Sequence, residues 1–391
     1  MRKHFIIFAF LLSLFAACKE KEETSAVLGL KLETENATYK SDGRFVYIDA
    51  NCDWTLSLET ITEGGSTSWA RLNKTSGSGK TTAVLSYDHN GTEMSRSLVV
   101  KLTASDGTSV TAGFVQSGIT LDTEEAGHTQ TDTGNRPAWM ELPEATNNLK
   151  YYSHSFNYSG KSYRNYSLGW DSSCKVAQWI AYPLCPFYTK KIVSRTDEWG
   201  YDPYIPVSEQ ADLFKSYSGN YDRGHQIPSA DRLVSREANV QTFYFSNMTP
   251  QMGSFNQTVW GNVEGTVRGW SSNADTLYVV TGCVVSPNAS TTTDASGKKC
   301  PIPSAYYKAV LRYSKSSTVG VGGYSAIGIY LDHRSYNANQ SLTKSMVMSI
   351  AQLEQKLGYK LYVNLDDKIG AEGAKKVKSE DPTSVKLWGL K

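Results

Sequence analysis

Hydrophobic and polar residues alternate over short distances in the first third of the chain. Segments such as RFVYIDA, DWTLSL, TTAVLSY and SVTAGFVQ are rich in β-branched and aromatic residues, and turn signals such as TSGSGK, HNG and SDG separate them. This pattern predicts a small all-β sandwich over residues 28–119. Residues 120–138 contain few apolar side chains and predict an interdomain linker.

Residues 139–391 mix strand-like and helix-like patterns. Strand-like segments include KYYSHSF, VAQWIAYPL and LYVVTGCVV, and one helix is expected to begin near Asn256. A second helix is predicted over LTKSMVMSIAQLEQKLG, where five apolar residues recur at helical spacing. These residues are Leu342, Met346, Ile350, Leu353 and Leu357. The chain is therefore predicted to be multidomain, with an all-β sandwich followed by an α+β domain.

The first residues have the pattern of an export signal. A short basic start precedes an apolar run from Phe5 to Phe15, which is too short to span a bilayer, and two alanines precede Cys18. This end resembles the lipobox of bacterial lipoproteins, which implies a signal peptide over 1–18 and acylation of Cys18. The charged tether 19–27 resembles signals for the outer face of the outer membrane. An ordinary secretory signal with an incidental cysteine is the alternative.

Five further cysteines lie in a chain that is expected to be exported, where disulfides persist. Because the number is odd, one cysteine is expected to be unpaired. Closeness in sequence favours the pairs Cys283–Cys300 and Cys174–Cys185. No CxxC or HExxH pattern occurs, so the sequence gives a zinc site no support.

Charge is nearly balanced over the whole chain. Forty basic residues face 38 acidic ones, and residues 121–391 carry a net charge of only +3. Any polyanion binding must therefore depend on locally clustered Arg and Lys side chains. The chain also lacks a GxGxxG or GxxxxGK loop, which argues against a nucleoside triphosphate cofactor.

Candidate chemistry is concentrated in NYDRGHQIPSADR, residues 220–232. His225 suits a general base, because the pKa of an imidazole lies near working pH. Arg223 can hold phosphate through two parallel donors, and Gly224 is predicted to permit a backbone bend. The stretch therefore predicts phosphodiester hydrolysis. A surface turn with a structural histidine is the alternative.

A second informative stretch, FYFSNMTPQMGSFNQTVWGNVEGTVRGW, occupies residues 243–270. Together the two stretches resemble the DNA/RNA non-specific endonuclease family, the endonuclease G-like ββα-metal or His-Me finger nucleases. The matching residues are Asp222 to His225, Ser246, Asn247, Pro250, Gln251, Asn256, Trp260 and Glu264, with further matches at 178–182, Arg195 and 302–308. The resemblance covers nearly all of 138–391 and implies a central antiparallel sheet flanked by helices.

The resemblance also implies a role for each matched polar residue. His225 would be the general base that activates water, and Asn256 would be the sole protein ligand of one hydrated Mg²⁺ ion, with Mn²⁺ as an alternative. The remaining expected site residues are Arg195, Arg223 and Arg268 for phosphate or transition-state charge, Asn247 for orientation around the phosphate, Glu264 for the metal through water, and Asp222 and Gly224 as support.

Helical spacing constrains these roles. A regular helix would separate Asn256 from Glu264 by about 12 Å along its axis, so either Asn256 lies at a helix start or Glu264 acts through water. Glu264 and Arg268 could instead form a surface ion pair. The other expectations are a core position for Trp260 rather than base stacking, structural roles for His154 and His333, and surface positions for Asp231 and Arg232.

Residues 28–119 resemble BACON domains, β-sandwich modules proposed to bind carbohydrate. Trp54 and Trp69 are more simply explained as core aromatics. The sequence thus predicts a surface-exposed outer-membrane lipoprotein that meets the membrane only through its lipid. It would cut DNA and RNA to 5′-phosphate ends with Mg²⁺. A carbohydrate-binding lipoprotein with an inactive nuclease-like domain is the alternative.

Overall fold

The computed structural model describes residues 26–39, 42–61, 65–92, 94–118 and 136–390, together with the backbone of 130–131. The predicted signal peptide, Cys18 and most of the predicted tether and linker lie outside this range. Within it, no helix is both long enough and apolar enough to cross a membrane.

Two sheets formed by residues 28–116 pack face to face and are called the sandwich below. The strands are β1 Leu28–Leu32, β2 Asn36–Ala37, β3 Asp42–Ala50, β4 Asp53–Thr60, β5 Ala70–Leu72, β6 Ser76–Ser78, β7 Thr81–Tyr87, β8 Arg96–Ala104 and β9 Ser109–Gln116. One sheet has the order β1-β3-β7-β5 and the other β2-β9-β8-β4-β6. Alternate residues of β8, Leu98, Val100 and Leu102, are fully buried between the sheets, as the period-two pattern predicts.

Both tryptophans of the sandwich belong to its core. Trp54 is buried, and its indole N–H donates to the Gly79 carbonyl at 2.9 Å. Trp69 stacks on Phe114 with ring centroids 6.3 Å apart. The prediction that these residues are core aromatics is confirmed, so neither ring is available to stack on a sugar.

The second part of the chain is built on an eight-stranded antiparallel sheet. Its strands, in sheet order, are β10 Gln130–Thr131, β11 Lys150–Tyr158, β12 Lys161–Asp171, β13 Val176–Leu184, β16 Thr276–Val284, β19 Ala305–Tyr313, β20 Tyr324–Asp332 and β21 Val347–Met348. Short strands β17 Thr291–Thr293 and β18 Lys299–Pro301 form a separate ribbon. Strand β13 is almost continuously buried, because both faces of the sheet are covered.

Helices cover the two faces of this sheet. The α-helices are α1 Arg236–Gln241, α2 Gly253–Phe255, α3 Gly261–Ser271, α4 Ile350–Leu357 and α5 Asp366–Ser379, which is kinked at Gly370. Single turns of 3₁₀-helix occupy Val207–Glu209, Ser229–Asp231, Phe245–Asn247, Lys344–Met346, Val363–Leu365, Pro382–Ser384 and Lys386–Trp388. Apolar residues of α3 pack in one core, and those of α4 and α5 pack in the core on the other face.

The second predicted helix starts later than its apolar spacing suggested. Residues 342–349 form a 3₁₀ turn and a short strand, and α4 begins only at Ile350. Ser349 fixes this start through a capping box with Gln352. The extension of the helix back to Leu342 was therefore wrong.

Neither predicted disulfide is present, since all five cysteines outside the signal are free. Cys174 and Cys185 lie at opposite ends of β13, so about ten extended residues keep them roughly 30 Å apart. Cys283 packs in the core beside Ala177, whereas Cys300 packs in a separate cluster with Met248. Pairing by closeness in sequence failed because the extended strands carry neighbouring cysteines apart.

Candidate active site

A two-stranded antiparallel sheet presents the histidine stretch. Strand β14, Tyr221–His225, pairs antiparallel with β15, Met248–Met252, and His225 lies opposite Met248. The chain leaves β15 and enters α2 at the next residue, Gly253. The two-stranded sheet therefore carries His225, and the helix that follows it carries Asn256.

Gly224 is required for space, not for a bend. It lies within β14 opposite Thr249, and a Cβ atom at this position would be 2.2 Å from the Gln251 side chain. The prediction that Gly224 supplies an unusual backbone bend was wrong. The absence of a side chain lets the buried Gln251 cross the strand.

Two aromatic rings enclose His225, and an arginine is stacked on each. The imidazole meets Trp199 edge-on at 5.4 Å and Phe243 at 5.1 Å between ring centroids. The guanidinium of Arg223 lies 3.6 Å from the centre of the Trp199 ring, and that of Arg195 lies 4.7 Å from the centre of Phe243. Two of the three arginines that the sequence predicted thus lie beside the predicted base.

This surrounding keeps His225 neutral. Burial, followed by the positive charges of Arg195 and Arg223, lowers the pKa of His225 to about 3. Its Nε2 atom is buried and has no hydrogen-bond partner among the described residues. An imidazole in this state is unprotonated, and its lowered pKa makes it a weak base while the surrounding positive charge is not offset.

Asp222 fixes the amide group of Asn256. The Asn256 Nδ2 atom donates to the Asp222 carboxylate at 3.0 Å, and Gln257 donates to the same oxygen at 2.9 Å. With its nitrogen engaged, Asn256 has its amide oxygen left for another partner. A single neutral oxygen suits a hard cation that retains most of its water. In the described part of the chain, no group of three His, Cys, Asp or Glu side chains forms a metal cluster.

The helix that carries Asn256 is irregular at this residue. Residues Asn256–Trp260 form a π-helical turn between α2 and α3. Asn256 therefore lies in the first turn of a continuous helical segment, which is one of the two arrangements that the spacing argument allowed. Wide turns of this kind are frequent at functional sites.

Arg268 pairs with Asp231 rather than with Glu264. Its Nε atom donates to Asp231 at 2.6 Å, and the Tyr182 hydroxyl donates to the other carboxylate oxygen at 3.2 Å. The alternative of a surface Glu264–Arg268 pair was therefore wrong. Asp231 and Arg232 are both buried, contrary to prediction, because Arg232 donates to the backbone of Asn165 and Pro183.

Glu264 lies near the charged side chains of Asp231, Arg268 and Lys308. Burial raises the pKa of its carboxyl group to about 7, although the positive charge of Lys308 opposes the rise. Lys308 is itself buried, donates to Thr281 at 3.0 Å and lies 4.8 Å from the centre of the Trp260 ring. Trp260 is buried as predicted, so base stacking on it is excluded.

Arg195 connects the residues around His225 to the charged group that contains Asp231 and Glu264. Its Nη1 atom donates to Ser229 at 3.0 Å, two residues before Asp231. Its positive charge contributes to the lowered pKa of His225 and opposes the rise in the pKa of Glu264. A phosphate beside Arg195 would therefore change the protonation of both groups.

Asn247 supports the site from below. It is fully buried, its amide oxygen accepts from the Ile227 N–H at 2.9 Å, and its amide nitrogen donates to the carbonyls of Ile227 and Thr242 at 3.0 and 2.7 Å. These bonds to the main chain engage both ends of the amide, so Asn247 positions the segment after His225 and does not reach a substrate.

His154 and His333 bond to protein groups, as expected of structural residues. The buried His154 bonds to Asp202 at 2.9 Å. His333 accepts from the Met252 N–H at 2.8 Å and bonds to the Pro303 carbonyl, which fixes the end of β15.

Four residues of the site were missed from the sequence. They are Trp199, Phe243, Asp231 and Lys308. Trp199 and Phe243 are separated from the histidine stretch in sequence, and an aromatic residue gives no sign of which partner it will meet. Lys308 lies in the segment IPSAYYK, which had been recognised as a family match. The available signal in the sequence was a lysine in the middle of the otherwise apolar segment AYYKAVL, because a buried lysine is costly unless it has partners.

Comparison with known proteins gives the class of this chain. The DNA/RNA non-specific endonuclease family matches residues 145–368, and the chain belongs to that family. A nuclease of Syncephalastrum racemosum is 32% identical over 179 residues, which are 42% of this chain and 54% of the relative. A nuclease of a Nostoc species is 35% identical over 147 residues, covering 37% and 52%.

A solved structure described as an EndoG/EndoGI complex superposes with a TM-score of 0.45 at 19% identity. The superposition covers 56% of this chain and 89% of that one. The chain spans about half the length of these two relatives. The family match lies entirely within the second part of the chain, and the resemblance of residues 28–119 to BACON domains stays a prediction.

Proposed function

We propose that the protein is an endonuclease that hydrolyses phosphodiester bonds of DNA and RNA and leaves 5′-phosphate ends. The observation that carries this proposal is the neutral imidazole of His225 between two rings that each carry an arginine, with an Nε2 atom that has no hydrogen-bond partner among the described residues. Membership of the endonuclease family supports the substrate class. In this proposal His225 takes a proton from the attacking water.

Substrate binding would tune this base. Without substrate, the charges of Arg195 and Arg223 help to hold the pKa of His225 near 3. A phosphate held by the same two arginines would offset their charge, so the pKa of His225 would rise toward working pH. The base would therefore become effective where an anionic substrate is bound. The arginines would also stabilise charge that develops on the phosphate oxygens.

Asn256 would hold one hydrated Mg²⁺ ion, or Mn²⁺, through its amide oxygen, while Asp222 keeps the amide in place. When bound, the ion would supply charge neutralisation at the scissile phosphate. Glu264 would accept hydrogen bonds from water on that ion. Its pKa of about 7 means that it could be ionised or protonated near neutral pH.

Arg268 would support the site differently from Arg195 and Arg223. Because its Nε atom is held by Asp231, the remaining donors of the guanidinium have a fixed direction. We assign Arg268 a supporting role, in which it holds a positive charge at a fixed position near the Glu264 carboxyl group. The buried Asp231 would keep it there.

The proposed place of action is outside the cytoplasm, with lipid on Cys18 as the only membrane contact and the protein exposed at the outer membrane. The export-signal pattern of residues 1–18 supports this. An inactive nuclease-like domain is disfavoured, because the base, its flanking arginines and the anchored carboxamide occur together.

Replacement of the base tests the proposal. We expect wild-type protein to degrade plasmid DNA and RNA in Mg²⁺ and to lose this activity in excess chelator. His225→Ala should reduce the rate by at least ~100-fold, as expected for loss of a general base. His128→Ala, in the predicted linker, is the matched control and should retain full activity. Undiminished cleavage by folded His225→Ala would contradict the proposed mechanism.

A further inference from the structure

One turn of the sandwich lies directly against the loop that carries Trp199. This turn, Asp88–Gly91, is called the docking turn. The backbone N–H of His89 donates to the Glu198 carboxylate at 2.8 Å, and the Tyr201 N–H donates to the Gly91 carbonyl at 3.1 Å. The main chain of the docking turn therefore bonds to the Glu198 side chain on one side of Trp199 and to the Tyr201 main chain on the other.

Two glycines allow the two backbones to touch. A Cβ atom on Gly91 would lie 2.4 Å from the Cα of Gly200, and one on Gly200 would lie 2.7 Å from the Cα of Gly91. Neither clash involves a flexible side chain that could move aside. The close approach is thus possible only with glycine on both surfaces.

Charged residues extend the contact around a cavity of about 250 Å³. Asp88 of the docking turn accepts from Arg71 at 2.6 Å and lies 3.4 Å from Arg236, which also pairs with Glu198. Arg195 lines the same cavity. The sandwich therefore meets the proposed nuclease site on the side of Arg195.

The loop held by the docking turn is part of the cluster around His225. Residues 195–199 supply Arg195 and Trp199, the ring that meets the imidazole and carries Arg223. Movement of this loop would displace Arg195 relative to the base, together with the Trp199 ring on which Arg223 stacks. Displacements of about 1 Å are enough to cost an enzyme up to ~100-fold in rate.

We propose that the docking turn of the sandwich is a positioning element of the nuclease site, which holds the Arg195–Trp199 loop against His225. The sandwich then takes part in catalysis indirectly and is more than a spacer. The catalytic half of this inference depends on the proposed function. The structural half, that the docking turn immobilises the loop, does not.

The test compares two variants of the full chain with the same chemical change. Gly91→Val introduces the clash with Gly200, whereas Gly113→Val introduces the same side chain on β9, where a Cβ atom meets nothing within 4 Å. Hydrogen exchange over residues 194–201 and steady-state kinetics are measured on both. We expect at least ~10-fold faster exchange of the loop and ~10-fold lower kcat/KM for Gly91→Val only.

Misfolding of Gly91→Val would be revealed by faster hydrogen exchange of the sandwich core in the same experiment. A second pair of variants keeps the proposal testable in that case. Glu198→Gln keeps an acceptor for the His89 N–H and should leave the loop protected, whereas Glu198→Ala removes it and should loosen the loop. Unchanged loop exchange in both Gly91→Val and Glu198→Ala would overturn the proposal. Loosened loops in a protein whose wild type cuts no nucleic acid would support the positioning contact and refute the nuclease function.

Discussion

The imidazole of His225 shows how surroundings decide what a residue can do. An exposed histidine is half protonated near pH 6.5, whereas this one is enclosed by Trp199 and Phe243 and faces two guanidinium groups. Both burial and charge disfavour the imidazolium form. The result is a base that stays neutral over the whole physiological range and whose buried Nε2 atom has no partner in the described part of the chain.

We therefore predict that His225 does not titrate between pH 5 and 8. Proton NMR of the imidazole resonances, assigned by comparison with His225→Gln, should show a flat His225 signal. The unfolded chain would protonate His225 below about pH 6.5, so its contribution to stability is complete above that pH and is lost progressively as the pH falls toward 3. A His225 signal with a midpoint near 6.5 would show that the imidazole is not enclosed as described.

At this scale the sequence predicted which residue types carry the chemistry, but not all of their contacts. His225, Arg223 and Asn256 were predicted from composition and resemblance. Arg268 was predicted too, but its partner, the buried Asp231, was expected on the surface. Ion pairs between distant segments depend on how those segments pack, and local charge patterns do not record it.

At the element scale, the β14–β15 sheet and the irregular α2–α3 helix set the positions of His225 and Asn256 relative to each other. Asp222 lies three residues before His225 on one strand and bonds to Asn256 in the first helical turn. The sequence predicted a helix near Asn256, but it did not predict strands β14 and β15, because a backbone bend was expected at Gly224. The start of α4 was not predicted either, because a capping box at Ser349 overrode apolar spacing that continued upstream.

The close contact between Gly224 and the Gln251 side chain gives a prediction for the stability of the β14–β15 sheet. Gly224→Ala should lower the free energy of unfolding by about 1–3 kcal/mol, because the new methyl group overlaps the buried Gln251 side chain. Urea unfolding measures this loss. The double variant Gly224→Ala/Gln251→Ala should recover part of it by removing the overlap.

The two explanations of Gly224 make opposite predictions for that double variant. If the glycine were needed for a backbone bend, shortening residue 251 would restore nothing. Failure of the double variant to exceed Gly224→Ala in stability would therefore contradict the packing explanation.

At the scale of the whole molecule, charge is balanced and the positive groups that matter are local. The chain carries a net charge of +2, and Arg195 and Arg223 are the two arginines stacked beside the proposed base. Substrate binding is thus expected to involve few phosphate contacts. The contact of the sandwich with the Arg195 loop could not be predicted, since nothing local in the sequence marks two glycines 109 residues apart as neighbours.

We predict a shallow salt dependence of substrate binding. A plot of log KM for duplex DNA against log salt concentration should have a slope of about 2, as expected for two neutralised phosphates, and Arg223→Gln should reduce it to about 1. Lys315→Gln, at an exposed position, should leave the slope unchanged. A slope that is steep and insensitive to Arg223→Gln would place substrate binding on another surface.

The central claim is that the imidazole of residue 225 removes a proton from the attacking water, and chemical rescue tests it most directly. The cleavage rate of folded His225→Gly is measured with increasing imidazole in the buffer. We predict that imidazole restores cleavage in a saturable manner, with a pH dependence that follows the free imidazole base, and that it does not restore Asn256→Ala. A folded His225→Gly protein that cleaves at the wild-type rate without imidazole would contradict the claim.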